Sequence, residues 1–195
     1  MITKEIKILT LFSALLLAGI FASHFFKKIP QDQRDRFFNF DQGQVFAFQV
    51  NHFTTAHFFK KEASGSWLIK QVENQLAREI KQKTGTAAAR EDTEFKQADS
   101  AEVSKALTYL IELKNLNPVS TEKNKPGLFE INDHSLHVVL FDREQKILDK
   151  IYIGKNGPDP LTSFLKRQNS DNIYLADQDF RLLFFRNYND WLDEK

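Results

Sequence analysis

The first strong pattern along the chain is an unbroken apolar run. Residues 8–26 (ILTLFSALLLAGIFASHFF) hold 19 positions without a charge, closed by Lys27 and Lys28. As a helix this run spans roughly 28 Å, close to the hydrocarbon thickness of a bilayer. It therefore reads as a membrane-spanning anchor. A cleavable signal peptide wants small residues at −3 and −1, and the best frame, Ile20-Phe21-Ala22, places Ile at −3. The anchor is expected to stay uncleaved. Residues 29–35 (IPQDQRD) form a polar linker, with Pro30 stopping the helix.

Beyond the linker the periodicity changes from helical to alternating. Residues 45–50 (VFAFQV) place Phe46, Phe48 and Val50 on one strand face. Residues 57–61 and 67–70 read as two further strands around the turn 62–66 (EASGS), giving an antiparallel meander. Residues 71–83 space Val72, Leu76 and Ile80 as a narrow helical stripe. Residues 84–97 are polar and read as a loop. Asp99 then opens a helix, with Glu102 at capping-box spacing. Its apolar face is Val103, Ala106, Leu107, Leu110 and Ile111.

A loop from Pro118 to Pro126-Gly127 leads into a second set of strands. Residues 136–141 and 147–153 have hairpin spacing, and residues 161–167 and 172–176 bracket the turn 168–171. A closing helix carries Phe180, Leu183, Phe184, Tyr188 and Trp191 on one face. Runs of antiparallel strands broken by two or three helices make an α+β domain behind the transmembrane helix. The organisation expected is an anchor at 1–28, a linker at 29–36 and one domain at 37–195. Its two meanders hint at similar sub-units, 37–115 and 116–195.

Composition narrows the roles. About 159 residues follow the linker, enough for an ordinary hydrophobic core. Lys plus Arg number 27 against 26 Asp plus Glu, a balance unlike the basic surplus of a nucleic-acid binder. With no cysteine, disulfides, zinc–thiolate sites and iron–sulfur clusters are excluded, as is lipid attachment to a Cys. Phenylalanine is abundant at 19 residues, which reads mainly as core filling, with a ligand-stacking surface as the sharper alternative.

Candidate chemistry is sparse. His134 and His137 form H-x-x-H, and His52 and His57 are five apart; on a strand, odd spacings point to opposite faces, so neither pair reads as a chelate. The run Gly154-Lys155-Asn156-Gly157 is too short for a phosphate-binding loop and reads as a turn whose glycines take positive φ. Asp133, Asp142, Asp159, Asp171, Asp177, Asp179 and Asp190 sit at expected turns or helix starts, where Asp caps amides. Serines lack a nucleophile-elbow context. No catalytic residue, cofactor or metal is implied. A speculative partner-docking face falls on Phe180, Phe184, Tyr188 and Trp191.

Several landmarks together resemble a bacterial family known as domain of unknown function 4340. They are Phe40-Asp41, Trp67, Ala98-Asp99 opening a helix, and Gly127-Leu128, followed by Ile153-Gly154-Lys155-Asn156-Gly157-Pro158. Phe164 to Lys166 stands where the family tends to have Tyr-x-Arg, Ile173-Tyr174-Leu175 is similar to its next strand, and Trp191-Leu192-Asp193 with Lys195 resembles its terminal Trp-Arg-Asp-Lys pattern. The resemblance spans about residues 37–195. It departs at Phe164, Lys166 and Leu192, and in the polar stretch before Ala98. It implies an N-terminal membrane tether and an accessory role beside ABC-type export or gliding-type transport components, and no established reaction.

The expectation is a non-enzymatic, single-pass protein of the inner membrane that binds a transporter or other envelope partner. A small-ligand or glycan-binding sensor is the second reading, and an envelope hydrolase the third. Lys27, Lys28, Arg34 and Arg36 pull the domain towards the cytoplasm by the positive-inside rule. The short segment ahead of the apolar run favours the opposite, extracytoplasmic side, which is the one expected.

Overall fold

Two phenylalanine rings lie flat against one another near the middle of a sheet, and much of the architecture can be traced outward from them. The computed structural model describes residues 36–87, 91–114, 116–121 and 125–193. The expected anchor at 8–26 and nearly all of the linker lie outside these residues. No helix among the described residues is long and apolar enough to cross a membrane.

In chain order the elements are β1 (Ala47–His52), β2 (Thr55–Lys61), β3 (Trp67–Glu73), α1 (Gln75–Thr84), β4 (Lys96–Gln97) and α2 (Ser100–Ile111). They continue with β5 (Pro118–Ser120), β6 (His137–Phe141), β7 (Ile147–Asn156), β8 (Ser163–Arg167), β9 (Ile173–Ala176) and α3 (Phe180–Phe184). All nine strands join one antiparallel sheet in the order β4-β3-β2-β1-β6-β7-β8-β9-β5. With three helices among the described residues, this is an α+β domain. The two meanders meet where β1 pairs with β6, Phe48 opposite Leu140 and Asn51 opposite His137.

Alternation decides which face is covered. Phe48, Phe59 and Ile69 stand side by side on β1, β2 and β3, and Val50, Val138 and Ile151 on β1, β6 and β7. All six are buried in one cluster with the apolar face of α2, which is the face read from the sequence. The Phe48 and Phe59 rings stack at 4.2 Å, with Trp67 edge-on to Phe48 at 5.3 Å and Trp191 edge-on to Phe59 at 5.1 Å. Six of the described phenylalanines are fully or nearly buried, so core filling accounts for much of the Phe content. Burying each such side chain contributes roughly 1.5–3 kcal/mol.

Polar locks hold the edges of this core. Asp99 caps α2, its Oδ1 accepting from the amides of Ala101 and Glu102 at 3.0 and 3.2 Å. The reciprocal half of the expected capping box is not made, because the Glu102 carboxylate accepts from Arg186 at 3.0 Å and from Lys105 at 3.4 Å. Asp149 on β7 is buried, and Arg167 on β8 donates to it through Nε at 2.7 Å and to the Phe37 carbonyl through Nη1 at 2.9 Å. The Phe37 amide bonds the Leu113 carbonyl at 2.9 Å, fastening the start of the domain to the exit of α2.

Four expectations are corrected. The helix read over 71–83 starts later, because β3 runs through Glu73 and Val72 pairs with Ala56; Asn74 then caps α1 by accepting from the Ala77 amide at 2.9 Å. The closing helix is broken. α3 ends at Phe184, and Asn187 and Asp190 cap each other's amides to start a separate 3₁₀ turn at Tyr188–Trp191. The loops read at 84–97 and after Pro118 each contribute an edge strand, β4 and β5. Gly154 and Gly157 are not among the residues at positive φ, and Gly154 lies within β7. Close approach explains them instead. A Cβ on Gly154 would collide with the Phe129 carbonyl, and one on Gly157 with the Thr162 hydroxyl and the Leu175 side chain.

Two stability outcomes follow from this packing. Trp191→Ala empties a fully buried site against Phe59 and is expected to lose about 3–5 kcal/mol in urea unfolding. Gly154→Ala forces β7 away from residues 129–131 and is expected to lose roughly 1–3 kcal/mol, whereas Gly43→Ala, with open space around its Cα, changes the midpoint little.

Candidate functional site

The turn between β1 and β2 places a bulky residue in a conformation that usually belongs to glycine. Phe53 has φ 45°, and its ring is 65% exposed. A left-handed backbone at a non-glycine residue costs about 1–2 kcal/mol. The conformation is held from across the fold: the buried Asn74 side chain, while capping α1, also donates to the Phe53 carbonyl and to that of Thr55.

Around this turn lies an exposed apolar group. The His52 ring sits between Phe53 at 5.0 Å and Phe185 at 4.0 Å. Phe185 is 49% exposed. Three clefts open beside the same turn, and His52 lines all of them. One of about 430 Å³ runs over the sheet face opposite the core, between the start of α1 and residues 133–135. A second, of about 320 Å³, holds His57 and Tyr188, and a third, of about 430 Å³, holds Glu130 and Arg181.

The floor of the first cleft is a row running across the strands. Asn51 on β1 is opposite His137 on β6, and His137 is opposite Tyr152 on β7. Gln49 donates to Asn51 Oδ1 at 2.7 Å. Since the Ser135 carbonyl can only accept, the 2.8 Å contact from His137 Nδ1 puts the imidazole proton there and leaves Nε2 as an acceptor. Tyr152 donates to Asp133 at 3.3 Å, and the Lys150 ammonium lies 4.6 Å from the Tyr152 ring centre.

Burial favours the neutral form of these histidines. Burial is the main cause for His137, pushed down to about 4, with Lys150 and His134 adding to the shift and the Ser135 carbonyl and Asp133 opposing it. Burial likewise lowers His57 to about 4, helped by the charge of His52 and opposed by Asp92. His52 is lowered by burial and by Arg181. No group of three or more His, Asp or Glu side chains among the described residues is placed to hold a metal ion.

The residues first assigned to docking lie elsewhere. Phe180, Phe184 and Trp191 are fully buried, and Tyr188 is half-buried beside His57. The expected face therefore belongs to the core, and the exposed aromatics are its neighbours Phe53 and Phe185. Helical spacing sets Phe184 and not Phe185 on the apolar face, but does not say whether that face meets the core or a partner. Both histidine pairs, neither read as a chelate, come to the same end of the sheet because β1, β2 and β6 are adjacent.

The fold and site together define a one-sheet α+β domain with an exposed aromatic group and polar clefts at one end. The family described as Domain of unknown function (DUF4340) matches residues 90–195, more than half of the chain, and the chain belongs to that family. No curated protein matches at significant similarity. No solved structure does so either.

Acid should weaken the fold through His57 and His137. Both have folded pKa values below the unfolded 6.5, so the unfolded state takes up more protons below that pH. Stability is full above about 6.5 and declines as pH falls towards about 4. Thermal unfolding at stepped pH should show this decline, and His57→Gln should flatten it.

Proposed function

We propose that this protein is a membrane-tethered, non-enzymatic accessory domain of the cell envelope, docking a transporter-type partner through the group formed by Phe53, His52 and Phe185. The observation that carries the reading is Phe53, an aromatic side chain held at positive φ and exposed by a bond from a buried asparagine. Strained backbone persists where the surroundings over-determine it, and such places cluster at functional sites. An exposed aromatic among near-neutral polar contacts has the anatomy of an interface anchor.

The tether rests on the uncharged run at 8–26. Placement of the domain outside the cytoplasm rests on the short segment ahead of that run, and a role beside an export system rests on the family resemblance. Arg181 and Arg186 beside the exposed group are already paired, with Glu130 at 3.2 Å and Glu102 at 3.0 Å, so the contact offered to a partner is chiefly aromatic.

A photocrosslinking residue at position 53 of the full-length protein, in intact membranes, tests the docking face. The expected product is a discrete adduct with an integral membrane protein, absent when the probe is at Lys60. Phe185→Ser should weaken the isolated complex by about tenfold or more, as for an anchor worth at least 1.4 kcal/mol. Position 53 yielding no adduct beyond that at Lys60 would sink the reading. A reporter fused after Lys195 should be active outside the cytoplasm only.

A further inference from the structure

The cleft over the outer sheet face carries chemistry that a protein-docking surface does not need. Asn51 is 4% exposed, and its Oδ1 is occupied by Gln49, so what it offers the cleft is the donor Nδ2, which has no protein acceptor among the described residues. Directly opposite on β6, His137 offers the acceptor Nε2, because its proton is committed to the Ser135 carbonyl. A donor and an acceptor thus stand side by side on neighbouring strands, where opposed residues lie about 4.5–5.5 Å apart.

That pair discriminates between ligand groups. A hydroxyl can accept from Asn51 and donate to His137 at once. A carboxylate cannot donate to the imidazole, and an ammonium cannot accept from the amide. Charge does not favour an anion either, since Glu79 and Asp133 line the same cleft as Lys150. The Tyr152 ring continues the row, 5.5 Å from the His137 ring, and Phe53 stands at the mouth. The Tyr152 ring is buried, so the free aromatic face is that of Phe53, which beside the paired amide and imidazole suits a ring with apolar C–H faces and hydroxyl edges. At about 430 Å³ the cleft lies within the ordinary size for small-molecule sites.

We infer that this cleft is a binding site for an uncharged saccharide, one of whose hydroxyls bridges Asn51 Nδ2 and His137 Nε2 while its ring packs on the exposed Phe53 at the mouth. The cleft shares Phe53 and His52 with the docking group. Its floor lies on the opposite side of the sheet from α3, and Phe185 takes no part in it, so variants at Asn51, His137 and Phe185 separate the two readings.

The test is calorimetric titration of the full-length protein, held in a detergent without a sugar headgroup, at neutral pH. The probes are glucose, N-acetylglucosamine and a β-linked disaccharide of each, with glucuronate as the anionic control. At least one neutral sugar should bind, and more tightly than glucuronate. Asn51→Ala and His137→Ala should each weaken that binding tenfold or more, whereas Phe185→Ser should leave it unchanged while impairing the membrane crosslink. Because the buried Asn51 variant could fail to fold, the His137 Nε2 resonance of the wild-type protein gives an independent readout and should shift on adding the sugar. No heat with any neutral sugar, tighter binding of glucuronate, or an unmoved Nε2 resonance at saturation would each overturn the assignment.

Discussion

The stacked pair of Phe48 and Phe59 is the contact on which the rest of this domain depends. A single sheet of nine strands has two faces, and α2, α3 and the closing segment bury one of them around this pair. Trp67 and Trp191 close on it edge-first from β3 and from the chain's last turn. The result joins the earliest strands to the end of the chain. The amide of Asp99 bonds the Trp191 carbonyl at 2.8 Å, and that of Asp193 the Gln97 carbonyl at 3.1 Å, so the closing segment lines up beside β4. The aromatic cluster therefore also sets where α2 begins.

Because the core occupies one face, the other is free to carry chemistry. Residues 129–131 pack over β7, where Gly154 leaves them room, and Ile131, Tyr152 and Ile173 make a small second core beneath. α1 leans on the β3 side. Between these coverings lies the row of Asn51, His137 and Tyr152, polar side chains at positions where full exposure would satisfy them with water and full burial would require partners. They have neither in full, and that intermediate state is what gives the cleft its unused donor and acceptor.

Asn74 links the two surfaces. Its side chain satisfies an amide of α1 and two carbonyls of the β1–β2 turn, and the turn in turn presents Phe53 outward while His52 contacts Phe185. A buried asparagine making all these bonds fixes a strained loop more firmly than apolar packing would, since each bond it lost would leave a polar group unsatisfied. In the proposed function, an anchor at 8–26 would limit where the domain searches, and the turn held by Asn74 would limit how it meets a partner.

Much of the fold was legible along the chain. Period-two alternation marked most of the strands, and period 3.6 marked α2 down to its five buried residues, because both patterns are local consequences of which face is covered. The apolar run at 8–26 lies outside the described residues. What the sequence could not decide were matters of pairing. Whether two meanders stay apart or share an edge depends on β1 finding β6, and only that pairing puts Asn51 beside His137. Val72 fitted a helical stripe and a strand equally well until Ala56 lay opposite it. Phe184 and Phe185 differ by one position, yet one is sealed in the core and the other faces solvent, because α3 ends between them. Periodicity reports that a face exists; the tertiary structure alone decides where each face ends and which strands it meets.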